Sequence, residues 1–238
     1  MAQTDLSSPA KLPQQDPEFV RGTFASISRR YDFANHLLSA GIDFLWRRKA
    51  AGLVSAVKPR SILDLATGSG DLALELKRHS PASLVVGADF CLPMLQVART
   101  KGVANLVQAD GLQLPFGEGE FDALTVAFGL RNMASWEKAL KEMSRVLSPE
   151  GLLLVMDFSL PVFPPFRWIY RLYLHHILPR LAGWATGQPQ AYEYLGESIE
   201  AFPRGKAMLE LIASCGFASP RRHLLAGGIA SIYCAERA

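Results

Sequence analysis

From Arg60 onward the chain alternates short apolar runs with amphipathic stretches. The runs Ser61–Ala66, Leu84–Asp89, Asn105–Asp110, Phe121–Phe128 and Gly151–Asp157 predict five strands. Helical spacing falls between them, over Asp71–His79, Cys91–Lys101 and Ser135–Leu147. Strands alternating with helices imply right-handed crossovers and a mainly parallel sheet. An unbroken run such as LLLVM suits a sheet covered on both faces. Phe217–Leu225 and Ile229–Ala235, joined through Gly227 and Gly228, predict a closing antiparallel addition at the sheet edge. The expected fold is therefore α/β, seven-stranded and mostly parallel, with helices on both faces.

Two segments stand outside this rhythm. Upstream, Phe24, Ile27, Tyr31, Leu37 and Leu38 recur every three to four residues, which predicts N-terminal helices within 18–58. Downstream, Phe158–Tyr192 contains no Asp or Glu but carries Arg167, Arg171, Arg180 and many aromatics, and predicts a helical lid over 158–200. Residues 1–17 are polar and read as a disordered leader to a single domain over 18–238. That leader has no apolar centre, so a signal peptide is not expected.

Composition adds exclusions. Hydrophobic residues are 49% and charged residues 20% of 238, a globular balance rather than a disordered one. The three cysteines, Cys91, Cys215 and Cys234, form no C-x-x-C pair, so neither a disulfide framework nor a cysteine zinc site is expected and a cytoplasmic setting fits. A net charge of +3 does not announce a nucleic-acid binder. No run approaches the roughly 20 apolar residues that cross a bilayer. A soluble protein is expected.

The most informative segment is Asp64-Leu-Ala-Thr-Gly68-Ser69-Gly70-Asp71-Leu-Ala73, which leaves one predicted strand and opens a helix. Glycines there permit a tight turn and let a ligand lie against bare backbone. Read as G-x-G-x-x-A, the loop also satisfies the dinucleotide fingerprint, so an NAD-linked oxidoreductase is the first rival. Asp89 follows about twenty residues on, where a carboxylate accepts ribose hydroxyls. Asp64, Asp89 and Asp110 fall near the carboxyl ends of three successive predicted strands, the rim where open α/β sheets bind ligands. A pyrophosphate favours a helix N-terminus free of negative charge. Here Asp64 precedes the loop and Asp71 follows it, a lining better suited to a sulfonium. S-adenosylmethionine is thus preferred over NAD.

With these motifs in place, the chain resembles the class I S-adenosylmethionine-dependent methyltransferases, which have a Rossmann-like fold. More narrowly, it is similar to the ubiquinone/menaquinone biosynthesis C-methyltransferases over Phe19–Ala235. The resemblance rests on YDFANHLLSAGIDFLWRR, LDLATGSGDLAL, ADGLQLPFGEGEFDALTVAFGLRN, RVLSPEG, MDFSLP and the closing GGIASIY. It implies cofactor contacts from Asp64, Gly68, Ser69, Gly70, Asp89, Asp110, Gly111 and Ala127. It also implies a reacting centre built from Arg131 and Asn132 of FGLRN together with Tyr31. Two departures from the family pattern stand out: Pro149-Glu150-Gly151 for a Pro-Gly-Gly turn, and Tyr233 where relatives carry a histidine.

The implied reaction is methyl transfer to a ring carbon of a prenylated, demethylated quinol (naphthoquinol or benzoquinol), with S-adenosylmethionine as donor and no metal. Arg131 is expected to stabilise the phenolate electrostatically, since an arginine is too weak an acid to serve as an ordinary base. The lid is expected to meet the isoprenoid tail, its arginines drawn to anionic headgroups. Expected partners are the quinol, a peripheral contact at the inner face of the membrane, and a second copy of the chain in a homodimer; nucleic acid is not expected. Besides the oxidoreductase, a methyltransferase for another small molecule and a non-catalytic scaffold are the alternatives.

Overall fold

The computed structural model describes residue 39 and residues 41–178 and 196–238. Tyr31, the leader, most of the N-terminal helical segment and the second half of the lid lie outside the described residues. Seven strands form one sheet: β1 (Ser61–Leu65), β2 (Leu84–Asp89), β3 (Asn105–Gln108), β4 (Phe121–Ala127), β5 (Leu147–Phe158), β6 (Phe217–Leu225) and β7 (Ala230–Arg237). Their order is β3-β2-β1-β4-β5-β7-β6. The first five pair in parallel, and β7 lies antiparallel to both β5 and β6. The β6–β7 pair is thus the expected antiparallel addition beyond β5, with β7 next to β5 and β6 outermost.

Among the described residues the helices around the sheet include α1 (Asp43–Ser55), α2 (Asp71–His79), α3 (Leu92–Thr100), α4 (Trp136–Val146), α5 (Pro164–Leu172) and α6 (Lys206–Ser214). One face is covered by Trp46, Ala50 and Val54 of α1, Leu72 and Leu76 of α2, and Tyr170 and Leu174 of the lid. The other is covered by Leu140 and Met143 of α4 and Met208 and Ile212 of α6. Full burial of a side chain of that size contributes about 1.5–3 kcal/mol. Helix α4 starts where Ser135 accepts the Lys138 amide. From its outer face Glu142 accepts the Leu114 amide and Arg145 donates to the Phe116 carbonyl, pinning the loop after β3.

Strand ends differ from expectation for local reasons. β3 stops at Gln108 because Asp110 forms its own turn, its carboxylate accepting the Leu112 amide at 2.9 Å. β5 begins at Leu147, paired with Phe121, before a register shift that pairs Ala123 with Leu152. The shift loops out Pro149-Glu150-Gly151. Glu150, not Gly151, holds the left-handed conformation there (φ 62°). Gly151 is needed for space, since a Cβ would meet the Ser148 carbonyl at 2.7 Å.

The lid helix α5 opens with Pro164 and Pro165 at its first turn and continues into a π-helical turn over Tyr173–Ile177. Tyr170 faces inward, while Phe163, Trp168 and Ile169 are each more than half exposed. Arg167 donates to the Pro161 and Val162 carbonyls, and Arg171 pairs with Glu200 at 2.8 Å. Arg167 and Arg171 are thus tied to the protein itself, and Arg180 lies outside the described residues. Among the described residues no helix is long and apolar enough to cross a membrane.

Candidate active site

Strand order reverses direction at β1, which has β2 on one side and β4 on the other. Beyond their carboxyl ends the diverging loops leave a crevice, the usual ligand position in such sheets. A cavity lies there, walled by the glycine loop, the turns after β2 and β3, and the segment 127–134 after β4. Two of its wall residues leave their strands in the left-handed region, Ala66 (φ 53°) and Phe128 (φ 58°). For non-glycine residues this costs on the order of 1–3 kcal/mol each, and such strain collects at functional sites. Gly70 is required at the head of α2: its φ is 85°, and a Cβ would come within 2.5 Å of Val103.

The acids are more occupied than the sequence suggests. Asp64 lies inside β1, fully buried, with the Thr67 and Thr125 hydroxyls donating to its two oxygens at 2.6 and 2.7 Å. Burial pushes its carboxyl up to about 6, against those hydrogen bonds. Asp89 accepts the Gly68 amide on one oxygen and the Cys91 amide on the other, both at 2.8 Å. Burial raises it too, and the amides oppose the rise. The Phe90 amide is a third backbone donor to the carboxylate, which still has acceptor capacity for a ribose hydroxyl. Asp71 is paired with Lys101 at 2.7 Å, which removes much of the negative charge expected after the loop. Asp110 is exposed at the cavity mouth, beside Gly111 and under Met133, whose side chain would meet a Cβ on Gly111 at 3.0 Å.

Of the expected cofactor contacts, Asp64, Gly68, Ser69, Asp89, Asp110, Gly111 and Ala127 all line this one cavity, and Gly70 supports it from the helix start. The expected reacting centre divides. Asn132 lines the cavity, its side-chain amide donating to the Phe128 carbonyl at 3.3 Å. Arg131 is absent from the lining. Its guanidinium is buried behind the wall, donating to the Phe128 carbonyl at 2.6 Å and pairing with Asp157 at 2.7 Å, above the Phe158 ring. Asp157 is raised by burial and held back by Arg131, and its Oδ2 has no hydrogen-bond partner among the described residues. Tyr31 lies outside the described residues. Tyr233 sits in β7 away from the cavity lining, its hydroxyl accepting the Gly205 amide at 2.9 Å.

Sequence reading passed over Arg47 and Asp157. Arg47 reaches the cavity from α1, anchored by a buried ion pair to Asp43 one turn earlier. The signal was present: Asp43 and Arg47 stand at i and i+4 among apolar positions Trp46, Ala50 and Val54 that face the core. Asp157 ends the β5 apolar run much as Asp89 ends that of β2.

Comparisons with known proteins agree with this geometry. The model of the ubiE/COQ5 methyltransferase family matches residues 11–237. A demethylmenaquinone methyltransferase from Thermus thermophilus is 49% identical over 219 residues, covering 90% of this chain and 99% of that protein. The ubiquinone/menaquinone biosynthesis C-methyltransferase UbiE of Bdellovibrio bacteriovorus is 40% identical, covering 92% and 95%. Among solved structures, a SAM-dependent methyltransferase from Thermotoga maritima superposes with a TM-score of 0.65 at 16% identity, over 92% of this chain and 100% of that one. Human N-acetylserotonin methyltransferase in complex with SAM gives 0.62 at 17% identity, over 93% and 59%. At such identities the structures speak to the fold, which is that of SAM-dependent methyltransferases.

Proposed function

Because the chain belongs to the ubiE/COQ5 methyltransferase family, we propose that it methylates a ring carbon of a prenylated, demethylated quinol, with S-adenosylmethionine as methyl donor. The preferred acceptor is demethylmenaquinol, the benzoquinol of the ubiquinone pathway being the second ring of the same reading. The observation that carries it is the convergence of the glycine loop, Asp89 and the Asn132 segment on one cavity at the β1–β4 switch point.

The residues present fit the donor. Asp89 has lone pairs left for the ribose, Asp110 and Gly111 with Met133 form a slot for the adenine, and the glycine loop offers bare backbone. Asp64 supplies buried negative charge toward a cationic centre, and Ala127 keeps the wall low beside it. When bound, the donor contributes an electrophilic methyl group on sulfur. The chain must then hold the acceptor carbon in line, and ease loss of the neighbouring phenol proton. Asn132 is the side chain assigned to meet the acceptor. Arg131 is a positioning residue: through Asp157 and the Phe128 carbonyl it fixes the turn that carries Asn132. Tyr31 remains the third member, on the family resemblance.

The exposed apolar face of α5 is assigned to a lipid surface rather than to a second copy of the chain, because the acceptor's tail is itself a membrane lipid. On this reading the enzyme works from the cytoplasm at the inner face of the membrane. Incubation with methyl-labelled donor and both demethylated quinols, followed by mass analysis, tests the reaction. Label is expected on the ring of the naphthoquinol; transfer to neither ring overturns the assignment.

A further inference from the structure

We propose that Arg47 binds the carboxylate of the donor's amino-acid end, which makes α1 part of the donor site. The inference rests on the donor reading given above and adds a recognition element to it. Among the described residues, Arg47 is the only Lys or Arg lining the cavity. It shares the wall with Asp64, Thr67 and Phe128: its charge acts on Asp64 at the root of the glycine loop, and its Cζ lies over the Phe128 ring.

The guanidinium is held for the task. One Nη pairs with Asp43, which is completely buried and also accepts the Ser39 hydroxyl at 3.0 Å. The Phe128 ring lies below the guanidinium carbon, 5.7 Å from centroid to Cζ, and fixes its plane. No other hydrogen bond of the Arg47 guanidinium forms among the described residues, where Nε and the second Nη are left as donors. A planar fork with two donors left matches a carboxylate, and a charge-assisted pair of this kind is among the stronger polar contacts available. Asp64, on the same wall, complements the donor's positive groups, and Arg47 complements its one negative group. The zwitterionic end is thereby met by one charge of each sign. Without Arg47 the donor's carboxylate would enter a wall that already contains Asp64 and Asp89.

The test is calorimetric titration of the full chain with three ligands: S-adenosylmethionine, its decarboxylated analogue, and 5′-methylthioadenosine, which lacks the amino-acid end. The wild-type protein should bind S-adenosylmethionine at least tenfold more tightly than the decarboxylated analogue. Arg47→Met, which keeps the apolar stem, should lose at least tenfold for S-adenosylmethionine. Its affinity for the other two should be unchanged, so the preference vanishes. Arg47→Lys, a point charge without the fork, should keep an intermediate preference and guards against a methionine variant that does not fold. Equal wild-type affinity for the first two ligands overturns the proposal, as does an equal loss for all three in both variants. Failure of the wild-type protein to bind any of the three instead overturns the donor reading itself.

Discussion

Removing the Arg131 guanidinium alone would leave the Asp157 carboxylate buried without its counter-charge, and both side chains are about 1% exposed. Breaking such a pair from one side costs about 3–5 kcal/mol, whereas replacing both charges together is often nearly neutral. Arg131→Ala is therefore expected to be strongly destabilised in urea denaturation. Arg131→Met combined with Asp157→Asn, which keeps an acceptor for the Phe158 amide, should recover most of that loss. A double variant as unstable as the single one would show that the pair is not the source. Asp64 yields a prediction of opposite electrostatic character. Its carboxyl is raised from 3.8 to about 6 in the folded chain, so the folded state holds the proton more tightly than the unfolded one. The stabilisation is complete below pH 3.8 and is lost as pH rises through about 6, a decline on the order of 3 kcal/mol. Asp64→Asn should flatten that part of the stability curve measured between pH 4 and 7; an unchanged difference between variant and wild type across that range would refute it.

Contact between the two loops that form the cavity wall depends on a missing side chain. Gly129 follows Phe128 in the FGLRN segment, and a Cβ there would stand 2.4 Å from the Ala66 Cβ of the glycine loop. Neither position has a flexible end that can yield, so Gly129→Ala must separate the loops. Overpacking of this kind costs about 1–3 kcal/mol. Donor affinity is expected to fall at least tenfold in a titration, because the displaced loop also carries Gly68 and Ser69; unchanged affinity would mean that the two loops move independently. The five parallel strands were readable as short apolar runs of a sheet covered on both faces, and α2, α3 and α4 as helices that each bury one face at helical spacing. The start of β5 was not, since Leu147 is buried whether it ends a helix or begins a strand. Asp89 and Asp110 could be placed at the cavity from strand-end logic alone. The neutralisation of Asp71 by Lys101, thirty residues away, has no local signature. The burial of Arg131 depends in the same way on Asp157, which lies on a neighbouring strand. A motif specifies which residues gather, and the partners that turn each side chain inward or outward come from elsewhere in the sheet.

Charge is spread thinly over the whole chain at +3, and among the described residues of the lid Arg167 and Arg171 are already bound internally, Arg171 to Glu200 of the same segment. Beside the exposed Arg171, His175 and His176, the lid exposes large apolar side chains: Phe163 is 66%, Trp168 65% and Ile169 57% accessible on one short helical segment. Adjacent exposed side chains of this size mark an interaction surface rather than ordinary scatter. Their inward neighbours Tyr170 and Leu174 join the same cluster as Trp46, Phe128 and Phe158, which lie beside the cavity wall. One buried apolar cluster therefore connects the underside of α5 with residues packed behind the cavity wall. Lipid attachment through this face should be hydrophobic rather than electrostatic in origin. Flotation with neutral phosphatidylcholine vesicles is expected to carry the protein, and to do so still at about 1 M salt, where charges are screened beyond about 3 Å. Phe163→Ser with Trp168→Ser should reduce the floated fraction at least tenfold while donor affinity stays at the wild-type value, whereas Arg167→Gln with Arg171→Gln should change it little. Attachment that needs anionic lipid, or that salt removes, would transfer the interaction from this aromatic face to charged groups elsewhere on the chain.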